Sequence, residues 1–205
     1  MIYNELSDKQ TMKNIAMRKL KLQMQVSLDG FNSTGPNDEQ KWVTWAWEEI
    51  KQYVLDLSHS ADTEIIGRKL AVDYIPYWLD TYSKPDDPMY ELALSKKSQK
   101  RIVFSKTLEK SEWENTKLAK GNLVGEVNKL KAQNGKDIIV YGGSSFVSAL
   151  VKENLIDEFH LFVNPVALGR GVSIFDQLEN LERLQLRNST PCACGIVILH
   201  YDLIK

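Results

Sequence analysis

Residues 137–146, with the sequence DIIVYGGSSF, constrain the fold of this chain more than any other segment. The first half is short, apolar and rich in β-branched residues, which predicts a strand covered on both faces. Gly142 and Gly143 then allow backbone angles that other residues avoid. Ser144 or Ser145 can cap a helix that follows. Free N–H groups at such a helix N-terminus are typical of a phosphate site, and a turn that only reverses the chain is the alternative.

Two earlier segments repeat this theme. Residues 63–66 and residues 101–104 each predict a short strand that is followed at once by a polar turn. The turns are Gly67-Arg68-Lys69 and Ser105-Lys106-Thr107. The carboxyl ends of parallel strands lie along one edge of a sheet, so these turns and the Gly-Gly turn should meet there. Their N–H groups, hydroxyls and cations suit a ligand with several phosphates, such as a dinucleotide with an extra ribose phosphate.

The N-terminal part of the chain predicts a strand and then helices. Residues 19–28 alternate strictly between polar and apolar side chains, which indicates a strand with one face in the core. Residues 41–57 predict a helix with an apolar stripe that packs on the sheet. A further helix from Leu70 should end at Pro76, because proline interrupts the helical hydrogen bonds.

The C-terminal part has a different character. Residues 159–163, 181–187 and 196–203 read as strands without long helices between them. Helix–strand alternation followed by a strand-rich end predicts an α/β fold with a mixed, mostly parallel sheet and helices on both faces. No G-x-G-x-x-G follows the first strand and no Walker sequence occurs, which disfavours a conventional Rossmann domain.

Composition restricts the partners of the protein. The 205 residues suit one domain, which we place at 18–205 after a polar extension at 1–17. The net charge of −1 gives no basic field for nucleic acid, and no apolar run reaches membrane-spanning length. No signal peptide is recognisable, and Cys192 and Cys194 are expected to be reduced thiols rather than zinc ligands. We therefore expect a cytoplasmic protein that holds no metal and binds neither nucleic acid nor membrane.

Glu49 is the candidate catalytic carboxylate, on the helix predicted for residues 41–57. It shares a side of that helix with Trp42 and Tyr53, at the border of the core. Desolvation beside those rings would raise the pKa of the carboxyl. Glu48 lies on the opposite side and should face solvent. The alternative is that Glu49 is an ordinary solvated charge on a helix.

Five short motifs occur in order along the chain. They are Ser27-Leu28-Asp29-Gly30-Phe31, Ile65-Ile66-Gly67-Arg68-Lys69, Val103-Phe104-Ser105-Lys106-Thr107-Leu108, Val140-Tyr141-Gly142-Gly143 and Asn164-Pro165-Val166-Ala167-Leu168-Gly169-Arg170-Gly171. Through them the chain resembles the dihydrofolate reductase-like family over roughly residues 18–205. Within that family it is similar to the reductase domain of the bifunctional riboflavin-biosynthesis deaminase/reductase.

The resemblance implies both a fold and an activity. The fold would be a three-layer α/β/α domain of the dihydrofolate reductase type, with a mixed sheet of about eight strands. The activity would be an NADPH-dependent hydride transfer to a small heterocycle, similar to that of 5-amino-6-(5-phosphoribosylamino)uracil reductase or dihydrofolate reductase. The resemblance is compatible with a homodimer, and it implies a cis peptide bond between Gly142 and Gly143.

The same resemblance implies the site residues. The cofactor-binding residues would be Gln25, Gly67, Arg68, Lys69, Ser105, Lys106, Gly142, Gly143, Ser144, Ser145 and Phe146. Ser105 and Lys106 would flank the 2′-phosphate, and the Gly-Gly turn would hold the pyrophosphate. The substrate would lie beside Tyr53 and Asn164, with Glu49 as a substrate-binding or proton-relay carboxylate.

Departures from the family pattern leave the activity open. Many relatives carry a threonine after Gly-Arg-x, where this chain has Leu70. Glu49 is the nearest match to the acidic residue that binds the pterin ring in dihydrofolate reductases, but its helix-to-strand spacing is longer. The deaminase motifs H-x-E and C-x-x-C of the bifunctional riboflavin enzyme are also absent. The leading interpretation is a reductase. The second is a nucleotide-binding module of the same fold without turnover, and a third, a purely structural protein, leaves the phosphate-suited strand ends unexplained. Steady oxidation of NADPH would separate the first two.

Overall fold

The structure, a computed structural model, describes residues 17–204. The predicted extension at 1–17 therefore lies outside the described residues apart from Met17. The strands are β1 (Leu20–Ser27), β2 (Ala61–Gly67), β3 (Lys100–Phe104), β4 (Thr116–Ala119), β5 (Asp137–Val140), β6 (Glu158–Asn164), β7 (Leu184–Pro191) and β8 (Val197–Leu203). The helices are α1 (Trp47–His59), α2 (Arg68–Tyr82), α3 (Tyr90–Ser98), α4 (Leu123–Lys131) and α5 (Ser144–Lys152). Within residues 17–204, no helix has both the length and the apolar character that a membrane crossing requires.

The eight strands form one mixed sheet in the order β4-β3-β2-β5-β1-β6-β8-β7. Strands β1 to β6 are all parallel to one another, so their carboxyl ends lie at the same edge of the sheet. Strand β8 is antiparallel to both β6 and β7. The predicted mixed α/β sheet with a strand-rich C-terminal part is therefore confirmed.

Strand β1 shows how the two faces of the sheet differ. Four of its side chains are buried against α4 and α5 in one apolar cluster: Leu20, Leu22, Met24 and Val26. Successive side chains of a strand point to opposite faces. Gln23 and Gln25 therefore point to the other side, where they lie among residues of α1, α2 and α3. We call the two sides the α4–α5 face and the α1–α3 face.

Helix α1 begins at Trp47, six residues later than the sequence predicts. The preceding segment forms turns, because one tertiary and one local hydrogen bond hold it. The backbone N–H of Thr44 donates to Oδ1 of Asn164 (2.7 Å), and the indole of Trp42 donates to Asp38 (3.1 Å). Trp42 therefore does not share a helix face with Glu49, and the helical geometry that was predicted for this pair is wrong.

Helix α2 continues through Pro76 to Tyr82, so the predicted end at Pro76 is also wrong. The proline lies on the exposed side of the helix, whereas Ile75 and Trp78 on either side of it are buried. An internal proline costs about 3 kcal/mol. Burial of one large apolar side chain contributes roughly 1.5–3 kcal/mol, so the two buried neighbours offset that cost.

Candidate functional site

The three turns that the sequence singles out lie side by side in space. Strand β2 pairs with β3 on one side and with β5 on the other, and all three strands are parallel. The turns after Gly67, Phe104 and Val140 therefore occupy neighbouring positions on one sheet edge. This juxtaposition depends on strand order, because β2 lies between β3 and β5 in the sheet. In the chain, β3 and β5 are separated by more than thirty residues and by two elements, β4 and α4.

Gly67 lets helix α5 approach the end of β2. A Cβ atom on Gly67 would lie 2.9 Å from Cβ of Phe146, too close for an ordinary contact. The Phe146 ring also packs against Phe104, with ring centroids 5.1 Å apart. Phe146 thus joins the ends of β2 and β3 to the first turn of α5, which fixes the N-terminus of that helix beside both strands.

The Gly-Gly turn leads directly into α5. The peptide bond between Gly142 and Gly143 is cis, as the resemblance implies, and Gly142 has a φ of 150°, which disfavours any residue with a Cβ. Gly143 is the N-cap residue, and neither serine caps the helix with its side chain. The hydroxyl of Ser144 instead accepts a hydrogen bond from Nδ2 of Asn32 (2.6 Å), so it ties the loop after β1 to the start of α5.

Three cations surround these turns. Arg68, Lys69 and Lys106 are exposed, and within the described part of the chain none of them forms an ion pair. Arg68 and Lys69 open α2, whose first turn contains no acidic residue. Cations are unfavourable at a helix N-terminus, where the macrodipole is positive. A bound anion would relieve that repulsion, so this corner of the sheet edge has the charge and the free N–H groups of an anion site.

Ser105 lies at the start of the turn after β3, and its predicted place beside the 2′-phosphate stays a prediction. Its side chain is buried, and Oγ accepts hydrogen bonds from the backbone N–H groups of Thr107 (3.2 Å) and Leu108 (2.9 Å). The hydroxyl therefore shapes the turn that presents Lys106. Ser145 remains exposed in the first turn of α5.

A cavity of about 590 Å³ opens on the α1–α3 face beside this edge. Its lining consists of amide, aromatic and aliphatic side chains: Gln23, Met24, Gln25, Gln40, Trp45, Leu70, Tyr74, Tyr77, Trp78, Met89 and Tyr141. Leu70 and Tyr141 connect it to the Gly-Gly turn, since Tyr141 precedes Gly142 and a Cβ on Gly142 would lie 3.5 Å from Leu70. Its volume is within the usual range for small-molecule sites. None of the described residues that line it is acidic.

Asn164 holds Gln25, a residue of the cavity lining, in place. Its side chain is fully buried, and Nδ2 donates to Oε1 of Gln25 (2.9 Å) and to the carbonyls of Phe162 (3.1 Å) and Val26 (3.3 Å). Its Oδ1 holds the backbone of Thr44. Asn164 therefore fixes the Gln25 amide and the segment before α1, and its bonds are made to the protein itself.

Two predicted residues lie away from this cavity. Glu49 is exposed, and its Oε2 accepts a hydrogen bond from the backbone N–H of Cys194 (2.9 Å) in the turn before β8. The hydroxyl of Tyr53 forms a 2.7 Å hydrogen bond with Nδ1 of His160 on β6. The structure thus does not bring Glu49 or Tyr53 to the cavity lining, and the catalytic role of Glu49 stays a prediction.

A buried charge network lies behind the aromatic wall of the cavity. The Lys96 ammonium lies 2.5 Å from Oη of Tyr74 and 3.3 Å from the centre of the Tyr141 ring. Tyr74 donates a hydrogen bond to Glu64, and Arg101 lies 3.5 Å from the same carboxylate. Burial lowers the pKa of Lys96 to about 8 and raises the pKa of Tyr74.

Sequence reasoning missed several residues of the cavity and the network, for identifiable reasons. Trp78 was missed because the helix was expected to end at Pro76, whereas Tyr74 lay inside the predicted helix without a pattern that marks it. Gln23 could have been found, since it precedes Gln25 by two residues on the same face of β1. No local pattern distinguishes Lys96 from an ordinary charge on a helix.

A known protein family matches most of the chain. The family described as the RibD C-terminal domain matches residues 18–198. The uncharacterized protein YyaP of Bacillus subtilis is 35% identical over 194 residues, which cover 92% of this chain and 96% of that protein.

Solved structures show the same fold. A putative riboflavin biosynthesis protein from Shewanella has a TM-score of 0.67 at 20% identity, with coverage of 92% of this chain and 100% of that one. The riboflavin biosynthesis reductase of Saccharomyces cerevisiae has a TM-score of 0.58 at 18% identity, with coverage of 94% and 92%. The predicted reductase-domain fold of the dihydrofolate reductase type is therefore confirmed, and the chain belongs to the family of RibD C-terminal domains.

Proposed function

We propose that the protein is an NADPH-dependent reductase that transfers a hydride to a carbon of a C=N or C=O bond in a small heterocycle. The observation that carries this proposal is the position of the aromatic and amide-lined cavity next to the Gly-Gly turn, with three exposed cations on the neighbouring strand ends that form no ion pair within residues 17–204. A dinucleotide that lies along this edge would have its phosphates at the turns and its far end at the cavity. The fold of the yeast riboflavin biosynthesis reductase supports the same function.

The residues at the edge fit NADPH. A side chain at Gly67 would collide with Phe146, and Gly142 requires a residue without a Cβ, so the backbone stays bare where a pyrophosphate would approach. Arg68, Lys69 and Lys106 would hold the phosphates of the adenosine end, with Ser145 and the N-terminus of α5 at the pyrophosphate. When bound, NADPH supplies the hydride, and the protein orients the substrate.

The cavity lining suits a flat heterocycle with hydrogen-bonding edges. Oε1 of Gln23 and Nε1 of Trp78 are buried without a hydrogen-bond partner in the described part of the chain, and both side chains line the cavity. One is an acceptor and the other a donor, and each would gain a partner from a ring N–H or carbonyl. The aromatic walls would exclude water from the reacting carbon.

Direct titration of cofactors tests the proposal. Wild-type protein should bind NADPH more tightly than NADH, because the three cations match the extra phosphate. Arg68→Ala should weaken NADPH binding by roughly ten- to a hundredfold, since a charge-assisted hydrogen bond contributes about 1.5–3 kcal/mol. Lys129→Ala is the control, because Lys129 is an exposed cation in the last turn of α4. Equal affinities of the wild type for NADPH and NADH would contradict the proposal.

Turnover separates the reductase from the second candidate. Binding of NADPH with no oxidation against a panel of C=N and C=O heterocycles would favour a nucleotide-binding module without catalysis. The paired variants Glu49→Gln and Glu48→Gln test the predicted carboxylate. Loss of turnover in the first variant alone would support a catalytic role for Glu49.

A further inference from the structure

A second cluster of polar side chains lies on the α1–α3 face, where β6 pairs with β8. His160 stands opposite His200 in the antiparallel register, and Glu158 stands opposite Asp202. The two imidazole rings stack with centroids 4.2 Å apart. Residues two apart on a strand share a face, so all four side chains project to the same side of the sheet.

We propose that Glu158, His160, His200 and Asp202 form a binding site for a divalent transition metal ion of the zinc class. This inference is independent of the reductase proposal. It also departs from the expectation that the protein holds no metal, which concerned Cys192 and Cys194 as ligands.

Three separations between neighbouring ligand atoms are close to those of a tetrahedral site. Oε2 of Glu158 lies 3.4 Å from Nε2 of His160 and 3.7 Å from Nε2 of His200, which in turn lies 3.6 Å from Oδ1 of Asp202. Zinc binds imidazole nitrogen and carboxylate oxygen at about 2.0–2.2 Å, which places neighbouring ligand atoms of a tetrahedron roughly 3.3–3.6 Å apart. The ligand atoms of Glu158, His160 and His200 all lie within 4.8 Å of one another. Asp202 adjoins this group through His200, and its Oδ1 would have to move toward the centre to become the fourth ligand.

Each carboxylate directs one oxygen into the cluster and gives the other to a basic side chain. Oε1 of Glu158 accepts a hydrogen bond from Lys19 (2.5 Å), which leaves Oε2 facing the two histidines. Oδ2 of Asp202 accepts from Nε of Arg187 (2.7 Å), and Oδ1 has no hydrogen-bond partner in the described part of the chain. Outer partners of this kind orient metal ligands and tune their basicity.

The histidines follow the same arrangement. Nδ1 of His160 is engaged by Tyr53, so Nε2 is the nitrogen that faces the centre. Nε2 of His200 is buried and lacks a hydrogen-bond partner among the described residues. An unpartnered buried polar atom costs about 1–3 kcal/mol. A metal ion would satisfy this nitrogen and Oδ1 of Asp202 together.

The chemistry of the donors selects the ion. Two imidazoles with two carboxylates suit zinc, cobalt or nickel, whereas magnesium and calcium prefer oxygen ligands alone. Lys21 opposes a cation, because its ammonium lies 3.7 Å from Oε2 of Glu158. Its nearer partners are Asp137 (2.9 Å) and Ser60 (3.0 Å), which hold the ammonium toward the amino end of β5.

Metal titration of the full chain, purified without a polyhistidine tag and freed of metal by chelation, tests the proposal. One equivalent of zinc should bind and raise the melting temperature, because the ion binds only the folded state. Cobalt should give the visible absorption of a tetrahedral site. His200→Ala should remove the stoichiometric binding, whereas His59→Ala should keep it, since His59 is an exposed histidine at the end of α1.

Two further variants make the test decisive. Tyr53→Phe should weaken zinc binding by roughly ten- to a hundredfold, because outer-partner substitutions have effects of this size. Asp202→Asn should weaken it at least tenfold and serves if His200→Ala does not fold. The absence of stoichiometric binding in the wild type would overturn the proposal. Binding that survives His200→Ala but is lost in the double variant Cys192→Ser/Cys194→Ser would also overturn it.

Discussion

The two faces of the sheet are built on different principles. The α4–α5 face is closed by aliphatic side chains alone along β1, where Leu20 and Leu22 are fully buried. The α1–α3 face contains buried charges: Glu64 and Lys96 have exposures of 0% and 1%. Charged residues are almost never buried to this degree unless they are paired. The two faces therefore share one sheet but differ in what holds them together.

This difference shows where the protein places its chemistry. The cavity, the Glu64–Lys96 network and the His160–His200 cluster all lie on the α1–α3 face, whereas the α4–α5 face supplies the apolar core beneath the strands. An apolar face contributes stability without specific partners. On the α1–α3 face, removal of one partner leaves a buried charge or polar atom uncompensated, so changes there should be costly and dependent on pH.

The largest effect is expected for Lys96→Met, which removes one charge from the buried network. Loss of one partner from a buried ion pair costs about 3–5 kcal/mol, and Arg101, 3.5 Å from the Glu64 carboxylate, offsets only part of that loss. The free energy of unfolding in denaturant should fall by this amount. Glu64→Gln should cost at least as much, because it leaves both Lys96 and the buried Arg101 without their carboxylate. A single variant with unchanged stability would mean that the network does not hold the α1–α3 face.

Leu22→Ala gives the matching measurement on the α4–α5 face. Leu22 is fully buried within the apolar cluster. Its truncation should cost about 2–5 kcal/mol, from lost transfer free energy and the cavity that remains. The pH dependence of unfolding should run parallel to that of the wild type, since no titratable partner is affected. A changed pH profile in Leu22→Ala would show that the two faces are coupled.

The smallest of the three effects is the pH dependence that Lys96 itself produces. Burial lowers the pKa of Lys96 from 10.5 to about 8 in the folded protein. Between these values the unfolded chain binds more protons than the folded chain, so the contribution of Lys96 to stability increases as the pH rises. The gain between pH 8 and pH 10 should be about 2 kcal/mol.

Chemical unfolding of the wild type and Lys96→Met at several pH values isolates this contribution, because other titrating groups are common to both proteins. The series should stop at pH 10, since burial raises the pKa of Tyr74 and the stability contribution of that phenol falls above its ordinary pKa. The stability difference between the two proteins should increase toward pH 10. A difference that stays constant over this range would contradict the lowered pKa of Lys96.

Much of the fold could be predicted from local patterns. Strict alternation in residues 19–28 predicts β1, and the apolar run before Gly142 predicts β5, because the side-chain period of a strand is visible in the sequence itself. The sequence also predicts that the turns after β2, β3 and β5 lie side by side, because the carboxyl ends of parallel strands lie along one edge of the sheet. The motifs in register then identified the family.

The limits of the helices depended on more distant contacts. Asn164 holds the segment before α1 in turns, and the buried neighbours of Pro76 carry α2 past a residue that normally ends a helix. In both cases a contact between residues far apart in the chain outweighs a local preference.

The sequence by itself determined the strands, the phosphate-suited turns and the family, since each depends on neighbours along the chain. The tertiary structure alone decided that Tyr53 meets His160, that Glu49 meets the turn at Cys194, and that Lys96 joins Glu64. These pairs are fixed by strand order, register and the way helices cross the sheet. They join residues from 32 to 145 positions apart, and no periodicity of the sequence extends over such distances.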